Sequence, residues 1–234
     1  MRKTKIVVPI MPETSAEIEK LNPADYAGAD IIEWRADFLP ENEILSAAPK
    51  IFEKFAAYKI LFTIRTVKEG GNLEISEKKY TQLLQEILQF EPDFIDIEYF
   101  SHRSALKALT HSRDKIVLSY HNFLEMPDDL TQRLIKMHRE NTVFVKAAIM
   151  PQRECDVLDL LQLTRDLTLE YGNHFITMAM GDLGKLSRIS GVLTGSRWTF
   201  ASLDAASAPG QFPLKMVGEL LEQLENVDED EGIF

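Results

Sequence analysis

Eight short apolar runs, rich in β-branched residues, recur along this chain with amphipathic stretches between them. That alternation constrains the fold more than any other feature. Residues 5–11, 30–37, 60–65, 94–99, 115–121, 142–150, 174–180 and 198–203 read as strands. Residues 15–20, 43–57, 76–90, 101–112, 126–140, 155–171 and 185–193 read as helices. Residues 213–224 read as a last helix with proline in its first turn. Within 76–90, Tyr80, Leu83, Leu84, Ile87 and Leu88 follow the helical period. Strands alternating with helices at this spacing imply right-handed crossovers and a parallel sheet. Eight repeats without a linker or a shift in composition predict an α/β fold, a (β/α)8 TIM barrel, as one catalytic domain over residues 1–234. An open doubly wound sheet is the alternative.

Net charge is -11, which argues against a nucleic-acid surface. Much of the excess lies in the run ENVDEDE at 225–231, and residues 225–234 are expected to form a flexible acidic tail. Cys155 is the one cysteine. An intrachain disulfide is therefore impossible, a multi-thiolate zinc site is excluded, and a reducing cytosol suits the chain. The apolar run 6–11 is interrupted by Pro9 and is too short for a signal-peptide core or a membrane span. The expected setting is cytoplasmic, with no membrane partner.

In a barrel the active site lies at the C-terminal ends of the strands. Lys146 sits within the sixth run, TVFVKAAIM. A buried ammonium costs several kcal/mol unless it is paired or loses its proton, and a neutral buried lysine is a nucleophile toward carbonyls. Small Ala147 and Ala148 are expected to leave room for an adduct. The plain alternative is an ion pair with Asp96 or Glu98. The fifth run ends at His121, placed for proton transfer. His102, His111 and His138 fall in helical stretches expected to be exposed, and His174 begins a strand at the closed end, so none of the four is assigned to the site.

The second run ends EWRAD, where alternation puts Glu33, Arg35 and Asp37 on one face. They read either as polar recognition of a hydroxylated anion or as an internal salt bridge. Arg65 ends the third run, followed by Glu69 in a glycine-containing loop, where it reads on its own as solvated charge. Asp96 and Glu98 point the same way in the fourth run, and one of them orients His121 or raises its basicity; the residues alone leave open which. Glycines after the seventh run lead to Arg188, suited to bidentate capture of a carboxylate. Met178 and Met180 read as core by default. Residues 204–211 have a lid's composition, and Ser207 and Gln211 can hydrogen-bond hydroxyls.

EWRAD, TIRT with a following EGG, SYHNF, VKAAIM, MGDLGKLSR and ASAPGQ, in this order from about Ile6 to Gln211, resemble type I 3-dehydroquinate dehydratases of the shikimate pathway. The resemblance implies a (β/α)8 barrel and a homodimer that needs no cofactor and no metal and acts on 3-dehydroquinate. It implies Lys146 as the Schiff-base lysine, His121 as general acid and base, and Glu69 as the glutamate that interacts with the histidine. Glu33, Arg35, Arg65, Arg188, Ser207 and Gln211 match substrate-binding positions. Three features depart from the family. An N-terminal hairpin before the first strand is not seen, Pro9 stands where some members offer serine, and Asn122 stands where others carry aspartate, with an expected effect on the pKa of His121. Rival readings are another imine-forming barrel of the class I aldolase kind, a barrel that binds without catalysis, and a metal-dependent lyase ligated by Glu33, Asp96 and His121.

Overall fold

The computed structural model describes residues 4–203 and 206–225. The expected acidic tail therefore lies outside the described residues except for Glu225. That residue closes the last helix, and its Oε1 accepts the backbone N–H of Thr4 at 3.0 Å.

Eight strands form where the apolar runs predict them: β1 Lys5–Ile10, β2 Ile31–Arg35, β3 Lys59–Thr63, β4 Phe94–Glu98, β5 Ile116–Asn122, β6 Phe144–Ile149, β7 Phe175–Ala179 and β8 Trp198–Ser202. Each pairs in parallel with its sequence neighbour from β1 through β7, and β8 returns to pair with β1. The seam between β7 and β8 is pinned rather than laddered. There the Arg197 N–H donates to the Phe175 carbonyl at 2.9 Å, and the Thr177 N–H donates to Ser196 Oγ at 3.1 Å. A two-residue strand, β9 Phe212–Pro213, lies outside β8. The result is the (β/α)8 barrel.

The helices are α1 Ser15–Lys20, α2 Ile44–Lys54, α3 Glu77–Ile87, α4 Arg103–Ala108, α5 Leu130–His138, α6 Glu154–Tyr171, α7 Gly191–Thr194 and α8 Leu214–Glu225. In α3 the Ser76 hydroxyl caps the first turn by accepting the Lys79 N–H at 3.3 Å, while Tyr80, Leu83, Leu84 and Ile87 are buried. Each such aliphatic side chain contributes roughly 1.5–3 kcal/mol on leaving water.

The helix expected over 185–193 is instead a 3-10 turn, Leu183–Arg188, followed by the single turn of α7. Close packing explains the difference. Ser187 Oγ accepts the Ala179 N–H at 2.9 Å and donates to the Gly184 carbonyl at 2.6 Å, while a Cβ on Gly184 would collide with the Ala179 backbone. The turn is thereby stapled to the end of β7, which fixes Arg188 over the barrel.

Side chains alternate between two cores. Ile32, Trp34, Ile97 and Ala147 face the helices, whereas Val7, Leu61, Val117, Ala148, Ile176, Met178 and Phe200 face the barrel axis. Ala147 thus belongs to the outer layer, and of the two alanines Ala148 alone leaves space inside. At the N-terminal end of the strands the rings of Phe94, Phe144 and Trp198 meet with centroids 4.8–6.1 Å apart and floor the barrel. No helix among the described residues is long and apolar enough to cross a membrane.

Candidate active site

Charged side chains crowd the other end. Strand pleat aims Glu33, Arg35, Asp96, Glu98, His121 and Lys146 inward near the C-terminal strand ends. The register brings Lys146 beside Ser119, and His121 beside Ala148. The cavity above them has about 470 Å³ of empty space out to its mouth. Its wall includes all the residues expected from the sequence: Glu33, Arg35, Arg65, Glu69, His121, Lys146, Arg188, Ser207 and Gln211. Met178, Met180, Ala148, Phe123 and Phe200 line it as well. The two methionines are therefore cavity wall rather than plain core.

Lys146 is 4% exposed. Its Nζ lies 3.6 Å from Glu33 Oε1 and 3.6 Å from Asp96 Oδ2, and 4.2 Å from the centre of the Phe200 ring. The ion pair weighed from sequence is thus present as two long contacts, and Glu33 joins Asp96 in it instead of Glu98. Burial lowers the pKa of Lys146; Glu33 and Asp96 oppose that, while Arg65 and Arg35 add to it, and the net effect is downward. Phe200, on the same inward face as Trp198, is the contact that sequence reading missed, though the alternation in β8 carried the signal.

The carboxylate that orients His121 is Glu69, not Asp96 or Glu98. Glu69 Oε2 lies 2.9 Å from His121 Nδ1 and accepts the backbone N–H of His121 at 3.0 Å. Local backbone places it there. Residues Val67–Glu69 form a 3-10 turn, with Thr66 at its N-cap and Gly70 closing it at φ +80°. A side chain on Gly70 would be strained by that φ and would strike the Phe123 ring. Burial pushes the Glu69 pKa up; Arg65 opposes this, Glu98 and Asp96 reinforce it, and the carboxyl reaches about 8. Burial, with the charges of Arg65, Lys146 and Arg35, holds His121 well below the usual imidazole range. Both shifts favour the neutral forms, a carboxylic acid beside an uncharged imidazole. Asn122 turns away, its Oδ1 accepting the N–H groups of Leu124 and Glu125, so it leaves His121 untouched.

Arg65 is the hub beneath the pair. Its guanidinium reaches Asp96 at 2.8 Å and Glu98 at 3.1 Å, donates to Ser119 Oγ at 3.1 Å, and lies 3.7 Å from Glu69. Those carboxylates raise its pKa despite burial. Arg35 is held in a bidentate fork by Asp37 at 2.7 and 2.8 Å. The strand ends at Arg35, and Asp37 reaches it from the 3-10 turn Ala36–Phe38, so the alternation read through Asp37 does not extend that far. Asp37 also accepts the N–H groups of Arg65 and Asn72.

Arg188 is different. It is 2% exposed, donates to the Pro209 carbonyl at 3.0 Å and approaches Met178 Sδ at 3.2 Å, and its Nε has no partner among the described residues. Burial alone lowers its pKa to about 10. A desolvated guanidinium with a spare donor at a cavity wall is suited to pairing with an anionic group. Pro209 belongs to the strap carrying Ser207 and Gln211, which bond one another side chain to side chain at 3.0 Å. The strap is tied down by the Gly181 N–H on the Pro209 carbonyl at 3.2 Å.

His102 contradicts its reading as an exposed helical residue. It is 1% exposed and stacks on Tyr80. No cluster of three His, Cys, Asp or Glu side chains able to hold a metal ion occurs among the described residues. The ligand set Glu33, Asp96 and His121 is thus not assembled.

Fold and site together define a (β/α)8-barrel enzyme with a lysine and a glutamate-braced histidine in one enclosed mouth. Comparison with known proteins narrows the class. The model of the type I 3-dehydroquinase family matches residues 6–228. The 3-dehydroquinate dehydratase of Lactococcus lactis subsp. cremoris is 68% identical over 226 residues, covering 97% of this chain and 99% of that one. A crystal structure of the type I 3-dehydroquinate dehydratase of Clostridium difficile with covalently modified comenic acid superposes with a TM-score of 0.87 at 33% identity, over 96% of this chain and 93% of that chain. The 3-dehydroquinate dehydratase of Geobacillus kaustophilus gives 0.88 at 30% identity, over 96% and 92%. This chain belongs to the type I 3-dehydroquinase family.

Proposed function

We propose that this protein dehydrates 3-dehydroquinate to 3-dehydroshikimate, the third step of the shikimate pathway, through an imine formed on Lys146. The observation that carries the reading is Lys146 itself, a buried amine of lowered pKa at a cavity that also holds the Glu69–His121 pair. The names of the relatives support the substrate, and the covalently modified ligand of the C. difficile protein supports a covalent route.

The chemistry follows from the groups in place. The neutral amine of Lys146 attacks the C3 ketone. The carbinolamine loses its oxygen as water, with His121 supplying and removing protons, and an iminium remains. That iminium draws electrons from C2, so the C2–H bond becomes acidic and His121 takes its proton. The enamine left behind expels the C1 hydroxyl, which departs as water with the proton that His121 returns. Water then hydrolyses the conjugated iminium, releasing the enone and the free amine. Glu33 and Asp96 neutralise the cationic iminium beside them. Arg188 holds the C1 carboxylate, fixing the ring relative to both reacting groups. Glu33, Arg35, Arg65, Ser207 and Gln211 sort the ring hydroxyls, Arg65 from behind its carboxylates and the strap from above.

The same reading carries a homodimer and a cytoplasmic location over from the family; sedimentation tests the first. The deciding experiment is borohydride reduction in the presence of 3-dehydroquinate, with mass mapping of the peptide containing Lys146. A reduced adduct at Lys146, together with enone absorbance in the ultraviolet, is the expected result. An aldolase-type barrel would give an adduct without the enone, a binding protein neither, and label elsewhere or nowhere with continued dehydration would end the imine reading.

A further inference from the structure

His102 takes no part in the steps above, yet it is buried among charges that do. Its ring lies on Tyr80 with centroids 3.9 Å apart and 20° between planes. Its Nδ1 lies 3.3 Å from Glu98 Oε2, a close ion-pair contact, and makes no hydrogen bond among the described residues. An unprotonated Nδ1 would aim a lone pair at a carboxylate oxygen, so the hydrogen belongs on Nδ1. The backbone fixes the approach as well, because the His102 N–H donates to the Glu98 carbonyl at 2.9 Å. The other charged or titratable groups around His102 are Glu77, whose Oε1 accepts the Ser104 N–H, and Lys68 on the adjoining loop.

Glu98 leads from His102 to the reacting groups. Its Oε1 accepts the Thr66 N–H at 2.7 Å and lies 3.1 Å from Arg65 Nη1, and its Oε2 accepts the Thr66 hydroxyl at 2.7 Å. Thr66 caps the turn that carries Glu69, and its carbonyl accepts the Glu69 N–H at 3.0 Å. Arg65 reaches Glu69 from the other side. Burial raises the pKa of Glu98, but His102, Arg65 and Thr66 outweigh burial and hold the carboxyl at about 2. The carboxylate is thus gripped from three directions.

We propose that His102 is a positioning residue: by holding Glu98 it fixes Thr66 and Arg65, and through them the place at which Glu69 meets His121. Without that donor, Glu98 keeps its bonds to Arg65 and Thr66 but gains freedom to turn about its own axis, and the Glu69 turn loosens with it. The inference rests on the roles proposed for Glu69 and His121.

Two substitutions separate the nitrogen from the ring. His102→Phe keeps the stack on Tyr80 and loses the N–H. His102→Asn gives up the ring and keeps an amide donor near the Nδ1 position. The measurements are kcat and KM for 3-dehydroquinate, the pH dependence of kcat, Tm, and borohydride labelling of Lys146. His102→Phe is expected to lose about tenfold in kcat, the worth of one close buried contact to a carboxylate, with KM little changed. The pH limb belonging to Glu69 should move downward as that carboxyl gains solvent. His102→Asn should retain most of the wild-type kcat. Wild-type kcat and pH profile in His102→Phe, whatever its Tm, would overturn the proposal. So would a greater kcat loss in His102→Asn than in His102→Phe, which would make the stack the working part. If His102→Phe does not fold, Thr66→Val cuts the same path and must show the same kcat loss and pH shift, or the proposal fails. An unlabelled Lys146 in the wild type would refute the imine reading instead, independently of His102.

Discussion

Glu69 Oε2 meets His121 twice, at the ring Nδ1 at 2.9 Å and at the same residue's backbone nitrogen at 3.0 Å. One oxygen therefore sets both the ring's rotation and the position of the strand that carries it. The opposite ring nitrogen is left free to work on a ligand.

A raised pKa makes Glu69 costly to the fold at alkaline pH. Its carboxyl titrates near 8 in the native state, against 4.5 for an ordinary glutamate. Between those values the native state binds more protons than the unfolded chain, so stability falls as pH rises through that window. Glu69→Gln removes the ionisation. The Tm of the variant relative to wild type should climb with pH across the window, while kcat falls at every pH. Thermal melts at pH 5 and pH 9 test this, and a Tm difference independent of pH would contradict it.

Lys146→Ala should fold and lose turnover, because no other lysine among the described residues lines the cavity. Circular dichroism and the dehydration assay check the two halves. Near-native rates in this variant would dispose of the lysine's role.

His121→Ala should lose about 10²- to 10⁴-fold in kcat, the usual share of a positioned acid–base group. Borohydride should still label Lys146 in this variant, since attack on the ketone precedes C2 proton removal. Normal turnover would mean that another group moves the proton.

Arg188→Leu should raise KM by about 10- to 100-fold, the worth of a charge-assisted contact to the ligand's carboxylate. Because the buried guanidinium has no carboxylate partner among the described residues, its loss should leave Tm unchanged or higher. Calorimetry and steady-state kinetics measure the two effects. A large drop in Tm with unchanged KM would make it a structural residue.

The pH dependence of kcat/KM should rise from acid toward alkaline pH. In the proposed imine route the neutral amine of Lys146 is the reactive form, and its fraction grows with pH. Burial brings that limb below the ordinary lysine value of 10.5. A limb at or above that value would show that burial does not activate the amine.

Much of this architecture was legible in the chain. The strands were readable because each is buried on both faces and so is a nearly continuous apolar run, broken by charge where it reaches the barrel mouth. Lys146 and His121 stood out because polar groups interrupt such runs. What failed was what depends on distant partners. Asp37 was assigned a strand face because nothing local marks the start of the 3-10 turn Ala36–Phe38. Periodicity offered Asp96 and Glu98 as partners of His121, and only the family resemblance pointed to Glu69, which arrives from a turn 52 positions earlier in the chain. His102 reads locally as a polar helix start, and its burial comes from Tyr80 on α3 and Glu98 on β4.

The aromatic plug of Phe94, Phe144 and Trp198 shuts the barrel at the end opposite the cavity, so among the described residues the cavity is approached from the strap side. In the proposed reaction, ketone and enone would then share that approach. Enone held in that pocket would exclude the next ketone, so product should inhibit competitively.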